Sequence, residues 1–443
     1  MDYFLFNFSG VQFHYTMSQM KEKQMQRKIG GMLCGLLCAG VVLVVPSAWA
    51  DNYFGDDGKT HMLTGANVSL DSGNYDAVYG GYDDTEVSLP EVFKNNVTIT
   101  GTAATNIVCG AYSFYGNVRE NTVTISGNTL GNVVCGGGTG AADAIKNHVI
   151  IKANSEVNGI VYGGKGVTSS KENDVTISDS TINKTVYGGE ADGNTENNHV
   201  TIDANSTVKE SVFGGYSFKG DSKNNEVTIN CGSVVTGNVA GGVALKGNTV
   251  SIIKSSAANV YGGYADNDNN SSAENNKVTI GAGSKVSEDI YGGYATHNTN
   301  ENKVSITNGA EVGQSVFGGY SFKGDSKNNE VTINGGSVVT ANVAGGVALK
   351  GNSEGNTVSI IKSSTGYVYG GKGGTSSKGN SVEISEGTIS NSVYGGYADN
   401  DNNSSAEKNN VTISAGSKVS GSIYGGYANH NANENKVSFS NVA

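Results

Sequence analysis

The stretch SVFGGYSFKGDSKNNEVTIN fills residues 211–230 and returns, letter for letter, at 315–334. A globular core packs each segment against different neighbours and has no use for one phrase twice, whereas a repeat array stacks like upon like. The phrase divides into two anchors that run through most of the chain. The first is an aliphatic residue, an aromatic and Gly-Gly, with the aromatic at Tyr79, Tyr162, Tyr187, Phe213, Tyr261, Tyr291, Phe317, Tyr369, Tyr394 and Tyr424. Cys109, Cys135, Ala240 and Ala344 hold the same slot in four further units, giving fourteen units spaced 21 to 30 residues apart.

The second anchor is Asn-x-Val-x-Ile or a close variant. Its asparagines are Asn95, Asn121, Asn147, Asn173, Asn198, Asn225, Asn248, Asn276, Asn302, Asn329, Asn356, Asn380, Asn409 and Asn435. In a strand the Asn, Val and Ile of each anchor point to one face, and the intervening Thr, Ser or charged residues point to the other. Another aliphatic stands five residues before the aromatic in most units, as at Val157, Ile182 and Val208. Each unit thus offers two short strands with one apolar face, a small turn, and a longer polar loop after Gly-Gly.

One unit cannot bury that face alone, but coiled units can, with every Val over a Val and every Asn over an Asn about 4.8 Å away. An inward Asn left unpaired is costly; in a stack its amide can donate to the Asn above and accept from the one below. Gly-Gly is expected to supply a bend that a β-carbon would obstruct. The fold class predicted is all-β, a right-handed parallel β-helix of about 14 rungs, on the order of 65 Å long. The copy starting at residue 315 carries an extra rung, and a stack of nearest-neighbour contacts tolerates such an insertion.

The composition agrees, with 65 Gly and 2 Pro in 443 residues. Residues 1–50 differ in kind. Lys21, Lys23, Arg27 and Lys28 precede an apolar run at 29–45, then Pro46 and Ala48-Trp49-Ala50. This is the pattern of a secretory signal peptide cleaved after Ala50, with an uncleaved membrane anchor as the alternative and a misassigned start ahead of Met20. Residues 51–77 are expected to form an N-terminal cap region and 78–443 the repeat array, which ends in mid-repeat. Residues 1–50 contribute +2 to a formal charge of −11, so the exported chain carries −13, a poor balance for binding nucleic acid.

A leader followed by a long, Cys-poor array of VYGGY…NNVTI units resembles the passenger region of autotransporter (type V secretion) surface proteins of Gram-negative bacteria. The resemblance covers residues 78–443 and rests on repeat character. It implies an adhesin or another surface structure, and an outer-membrane translocator β-barrel. No barrel-type run of alternating ten-residue strands follows the last unit, so the chain is expected to be a fragment of a longer product or to be secreted without that anchor.

Several residue sets are candidates for chemistry. Tyr82, Tyr112, Tyr216, Tyr264, Tyr294, Tyr320, Tyr397 and Tyr427 lie three residues after the first aromatic slot. Exposed tyrosines at a regular pitch suit contact with protein or glycan; alternatively the rings cover the Gly-Gly bend. One residue after the ladder asparagines come His148, Asp174, His199 and Glu226, a column that could hold a divalent metal or be alternating solvated side chains. The loops at 264–275 and 397–408 place Asp266, Asp268, Asp399 and Asp401 together, but lack the glycine and terminal glutamate of an EF-hand. Cys109 and Cys135 occupy adjacent units, where small-residue packing explains them better than a disulfide; Cys231 stands where the second copy has Gly335.

No catalytic signature emerges, and no cofactor is expected. The functional expectation is a non-enzymatic, adhesin-like rod, exported through the inner membrane to the cell surface or beyond. Its partner would be a surface protein or glycan of a host or neighbouring cell, engaged through many weak contacts. A structural matrix protein that self-associates is the first alternative, and a polysaccharide-active enzyme the second.

Overall fold

A computed structural model describes residues 7–8 and 11–12 and, from residue 52 onward, all but 57, 59–60, 86–90, 244, 266–270, 399–402, 415 and 441–443. The apolar run, cleavage motif and four aspartates of the candidate calcium loops lie outside the described residues. Residues 1–47 form a unit of their own, whose described part is an antiparallel pairing of Asn7–Phe8 with Val11–Gln12.

From residue 52 on, every described element is a β-strand and every strand pairs parallel with its counterpart one repeat away. One turn runs through four strands: Val186–Ala191, Asn194–Glu196, His199–Asp203 and Thr207–Val208. The next begins at Val212–Ser217. Stacking the turns generates four parallel sheets of 15, 14, 15 and 12 strands, a β-solenoid of about 14 turns. Residues 52–77 contribute Tyr53–Phe54 and Asn67–Leu70, the first strands of the two 15-stranded sheets.

Register follows the anchors. Val175 pairs with Val200 and Ile177 with Ile202, Val186 with Val212, and Ile182 with Val208. The inward Val and Ile of three sheets merge into one continuous apolar core whose members are almost all fully buried. The Asn, Val and Ile of each anchor do share the inner face, as their parity requires.

The two-strand reading of each unit undercounts. The polar loop after Gly-Gly contains a strand of small residues, among them Ala144, Ser170, Thr195, Ser222, Thr299, Ser326 and Ser377, all fully buried. The aliphatic before the aromatic lies on its own two-residue strand. The sequence does carry the signal for the small-residue strand, a Ser, Thr or Ala three residues ahead of most ladder asparagines.

Gly-Gly does more than supply the expected bend. The strand continues through both glycines, and neither glycine of any described anchor pair has a left-handed φ. The ladder skips the first of them, Tyr162 pairing with Tyr187 and Gly164 with Gly189, and a Cβ on either glycine would point at the asparagine. Two successive positions thus face inward, and the chain changes direction there. Their lack of a side chain also serves close approach. A Cβ on Gly164 would lie 2.4 Å from Asn173 Cγ, and one on Gly163 would lie 2.3 Å from the Gly188 carbonyl oxygen of the next turn. The glycines are the floor on which the asparagine ladder rests.

Left-handed backbone occurs elsewhere, at the residue before every ladder asparagine, including Lys94 (φ 56°), Glu120 (φ 56°) and Glu172 (φ 52°). A second left-handed column follows the Ile strand, and Cys231 (φ 53°) falls in it where its duplicate has Gly335 (φ 67°). An L-residue there costs about 1–2 kcal/mol. Cys231→Gly should therefore raise the local unfolding free energy by up to about 1 kcal/mol once the freedom of unfolded glycine is subtracted. Gly335→Cys should lose more than that, because its Cβ would also stand 2.9 Å from the Asn308 backbone nitrogen, and hydrogen exchange of both variants against the parent checks the pair.

Candidate functional site

The asparagine ladder is continuous from Asn95 to Asn435. Each Nδ2 donates to the Oδ1 of the next asparagine, as from Asn95 to Asn121 (2.9 Å), Asn173 to Asn198 (2.9 Å) and Asn302 to Asn329 (2.9 Å). The same Oδ1 also accepts the backbone N–H of the preceding asparagine, Asn173 N to Asn198 Oδ1 being 3.0 Å. The remaining Nδ2 hydrogen goes to a carbonyl of the small-residue strand one turn back, Ala144 O in the case of Asn173 (3.0 Å). Buried serines join in, Asn173 Nδ2 lying 3.0 Å from Ser170 Oγ, which donates to Gly164 O at 2.9 Å. The amides are thus consumed internally, and the ladder is scaffold.

Outside the Gly-Gly sheet two columns of aromatic rings run side by side. In the first, Tyr261, Tyr291 and Phe317 stack at 5.1 and 5.2 Å with interplanar angles of 4° and 20°. In the second, Tyr264, Tyr294 and Tyr320 stack at 5.1 and 5.7 Å, at 7° and 10°. Between columns the rings meet edge to face, Tyr291 and Tyr294 at 5.1 Å and 81°. Tyr369, Tyr394 and Tyr424 with Tyr397 and Tyr427 repeat this herringbone, and Tyr79, Tyr82 and Tyr112 with Phe54 and Phe114 build another at the first turns.

The tyrosine stripe is thus partly shielded by its own packing. Tyr112 is buried, Tyr82, Tyr216, Tyr264, Tyr294, Tyr320 and Tyr397 are half-buried, and Tyr427 is exposed. Ring faces meet ring faces, so the stripe turns ring edges outward at the pitch of the turns. Where tyrosine is replaced in this slot, Lys165 and Glu190 form a 2.7 Å ion pair, with Lys165 Nζ 4.6 Å from the Tyr162 ring centre. Phe218, in the repeated phrase, is the most exposed aromatic beside the stripe: its rung below carries Glu190, whereas the equivalent Phe322 packs on both Tyr294 and Tyr320.

The column after the asparagines is held in register on four consecutive turns, with His148 paired to Asp174, Asp174 to His199 and His199 to Glu226. His148 Nδ1 lies 3.1 Å from Asp174 Oδ2, His199 Nδ1 lies 3.1 Å from Asp174 Oδ1, and His199 Nε2 lies 3.9 Å from Glu226 Oε2. The imidazoles thus engage opposite oxygens of one carboxylate. No group of three or more His, Cys, Asp or Glu among the described residues is placed to hold a metal ion, and the contacts of the column run pairwise from turn to turn.

The hydrogen bond to Asp174 raises the pKa of both histidines, against an opposing effect of partial burial. Burial pushes Asp174 up, but its bonds to His148 and His199 prevail and hold it well below the usual carboxylate range. Two open grooves flank the column. One of about 270 Å³ is lined by Thr122, Ile150, Thr176 and Thr201, and one of about 570 Å³ by Glu120, Lys146, Glu172 and Asn197.

Cys109 and Cys135 are stacked neighbours in the Gly-Gly sheet, both buried and not joined by a disulfide, while Cys231 is exposed. No protein-family model matches this chain. Searches of curated proteins and of solved structures find no match either. The functional reading therefore rests on the fold and its surface.

Proposed function

We propose that the chain is an exported, non-enzymatic surface rod of the autotransporter-passenger type, acting as an adhesin. The observation that carries this reading is the herringbone of tyrosines repeated on one face of a stiff solenoid. The turns that carry the tyrosine offer the same modest contact, outward ring edges, and such an array adds modest contacts through effective concentration. The partner is a protein or glycan on another cell surface. An array that folds turn upon turn also suits export, since each emerging turn needs only its predecessor as template.

Replacing Tyr264, Tyr294 and Tyr320 together with Ser should lower adhesion of cells or beads displaying the rod by an order of magnitude or more, a multivalent loss. Circular dichroism would confirm that the β-sheet persists. Undiminished adhesion by a folded triple variant would sink the assignment. The same face favours a second reading, a matrix protein whose rods pack through these rings. Sedimentation of the purified rod tells the two apart, because self-association abolished by the same variant supports the matrix.

A further inference from the structure

We propose that the His148–Asp174–His199–Glu226 column is a pH-dependent clamp that ties four consecutive turns together more firmly in mildly acidic than in neutral or alkaline surroundings. Its geometry is that of a charge chain with two undecided members. Asp174 is the centre, receiving one imidazole on each oxygen, and Glu226 closes the far end beyond His199. When both imidazoles are protonated the column alternates positive and negative from turn to turn; when both are neutral, two carboxylates remain with ordinary hydrogen bonds and no ionic attraction.

The charged groups facing the column come from the neighbouring corner. Lys146 pairs with Glu172 at 3.5 Å, and Glu120 lines the same groove. Lys146 and Glu172 offset one another, and Arg119 offsets Glu120 at 2.6 Å, so their field does not decide the histidines; Glu226 reinforces protonation of His199. On the other side the column faces threonines and Ile150, which carry no charge.

The direction follows from linkage. Histidines whose folded pKa is raised add stability that is complete below their unfolded pKa and disappears as pH rises through the folded value. Asp174, whose folded pKa is depressed, adds stability above its unfolded pKa that is lost as pH falls through the folded value. Between these limits the clamp is tightest. The side chains are nearly half exposed, so solvent weakens each pair, and the effect is local to these turns.

Hydrogen exchange on the purified full chain, read by mass spectrometry at about pH 5 and about pH 8 and corrected for intrinsic rates, tests the proposal. Peptides spanning 147–152, 173–178 and 198–203 should open several-fold less often at the lower pH, and Asp174→Asn should flatten that ratio. The His148→Gln/His199→Gln double variant should flatten it as well. An NMR titration adds a readout that a merely structural role would not move: both imidazole midpoints should fall in Asp174→Asn. Equal pH dependence in parent and variants, or imidazole midpoints indifferent to Asp174→Asn, would overturn the clamp.

Discussion

Asn302→Ala lowers the local unfolding free energy of the turns on either side by about 3–5 kcal/mol. The Asn302 Oδ1 accepts from both Asn276 N (3.1 Å) and Asn276 Nδ2 (2.8 Å), and its Nδ2 donates to Ala273 O and Asn329 Oδ1, each at 2.9 Å. Alanine serves none of these four bonds, and all the groups lie in the buried interior, where an unmet polar atom costs about 1–3 kcal/mol. Asn329 Oδ1 keeps a donor, the backbone N–H of residue 302 at 3.0 Å. Because a long solenoid need not unfold in one step, the loss is best read by hydrogen exchange of the strands Lys277–Gly281 and Glu330–Ile333. A change below about 1 kcal/mol would mean that water replaces the amide without penalty.

Asn302→Asp should do more harm at neutral pH, since a carboxylate oxygen would face Ala273 O and Asn329 Oδ1 where an N–H now points. Burial and these two oxygens would raise the new carboxyl's folded pKa above its unfolded value. The variant should accordingly regain stability as the pH is lowered and the acid becomes a donor.

Gly292→Ala is expected to cost about 3 kcal/mol and to open the Gly-Gly sheet at that turn. The added Cβ would stand 2.4 Å from Gly318 O, 3.1 Å from Val304 Cγ2 and 3.2 Å from Asn302 Cβ. None of these can retreat: the carbonyl belongs to the next strand, and the other two belong to the core and the ladder. Gly281→Ala is the control, because its nearest neighbour would be Thr307 Oγ1 at 3.4 Å and its φ is not left-handed. It should stay within about 0.5 kcal/mol of the parent, so equal effects at the two sites would refute the packing explanation.

Much of this was legible in the residues. The common parity of Asn, Val and Ile required a shared inner face, and the repeat made each asparagine its neighbour's partner. Other features were not. Gly-Gly suggested a bend, and the chain does change direction there, but the pattern did not show that the Asn173-type side chains press against the glycines from across the turn, a contact between segments about ten residues apart. The tyrosine stripe left partner contact and cover over Gly-Gly as alternatives, and did not show that two aromatic slots three residues apart fall on one side of the strand and lock edge to face. The histidine column was visible as an alignment, but only the structure showed two imidazoles approaching opposite oxygens of Asp174.

The sequence by itself determined what lies above what. A period of one turn, repeated with the same residue at each slot, fixes the stacking partners of every column because parallel strands in register bring equal positions together. The tertiary structure alone decided how the columns meet sideways: glycine against asparagine, ring edge against ring face, imidazole against carboxylate. Those contacts join slots at different positions within a turn, and their geometry depends on where the chain turns its corners, which the left-handed residues before each asparagine set and the repeat pattern does not reveal.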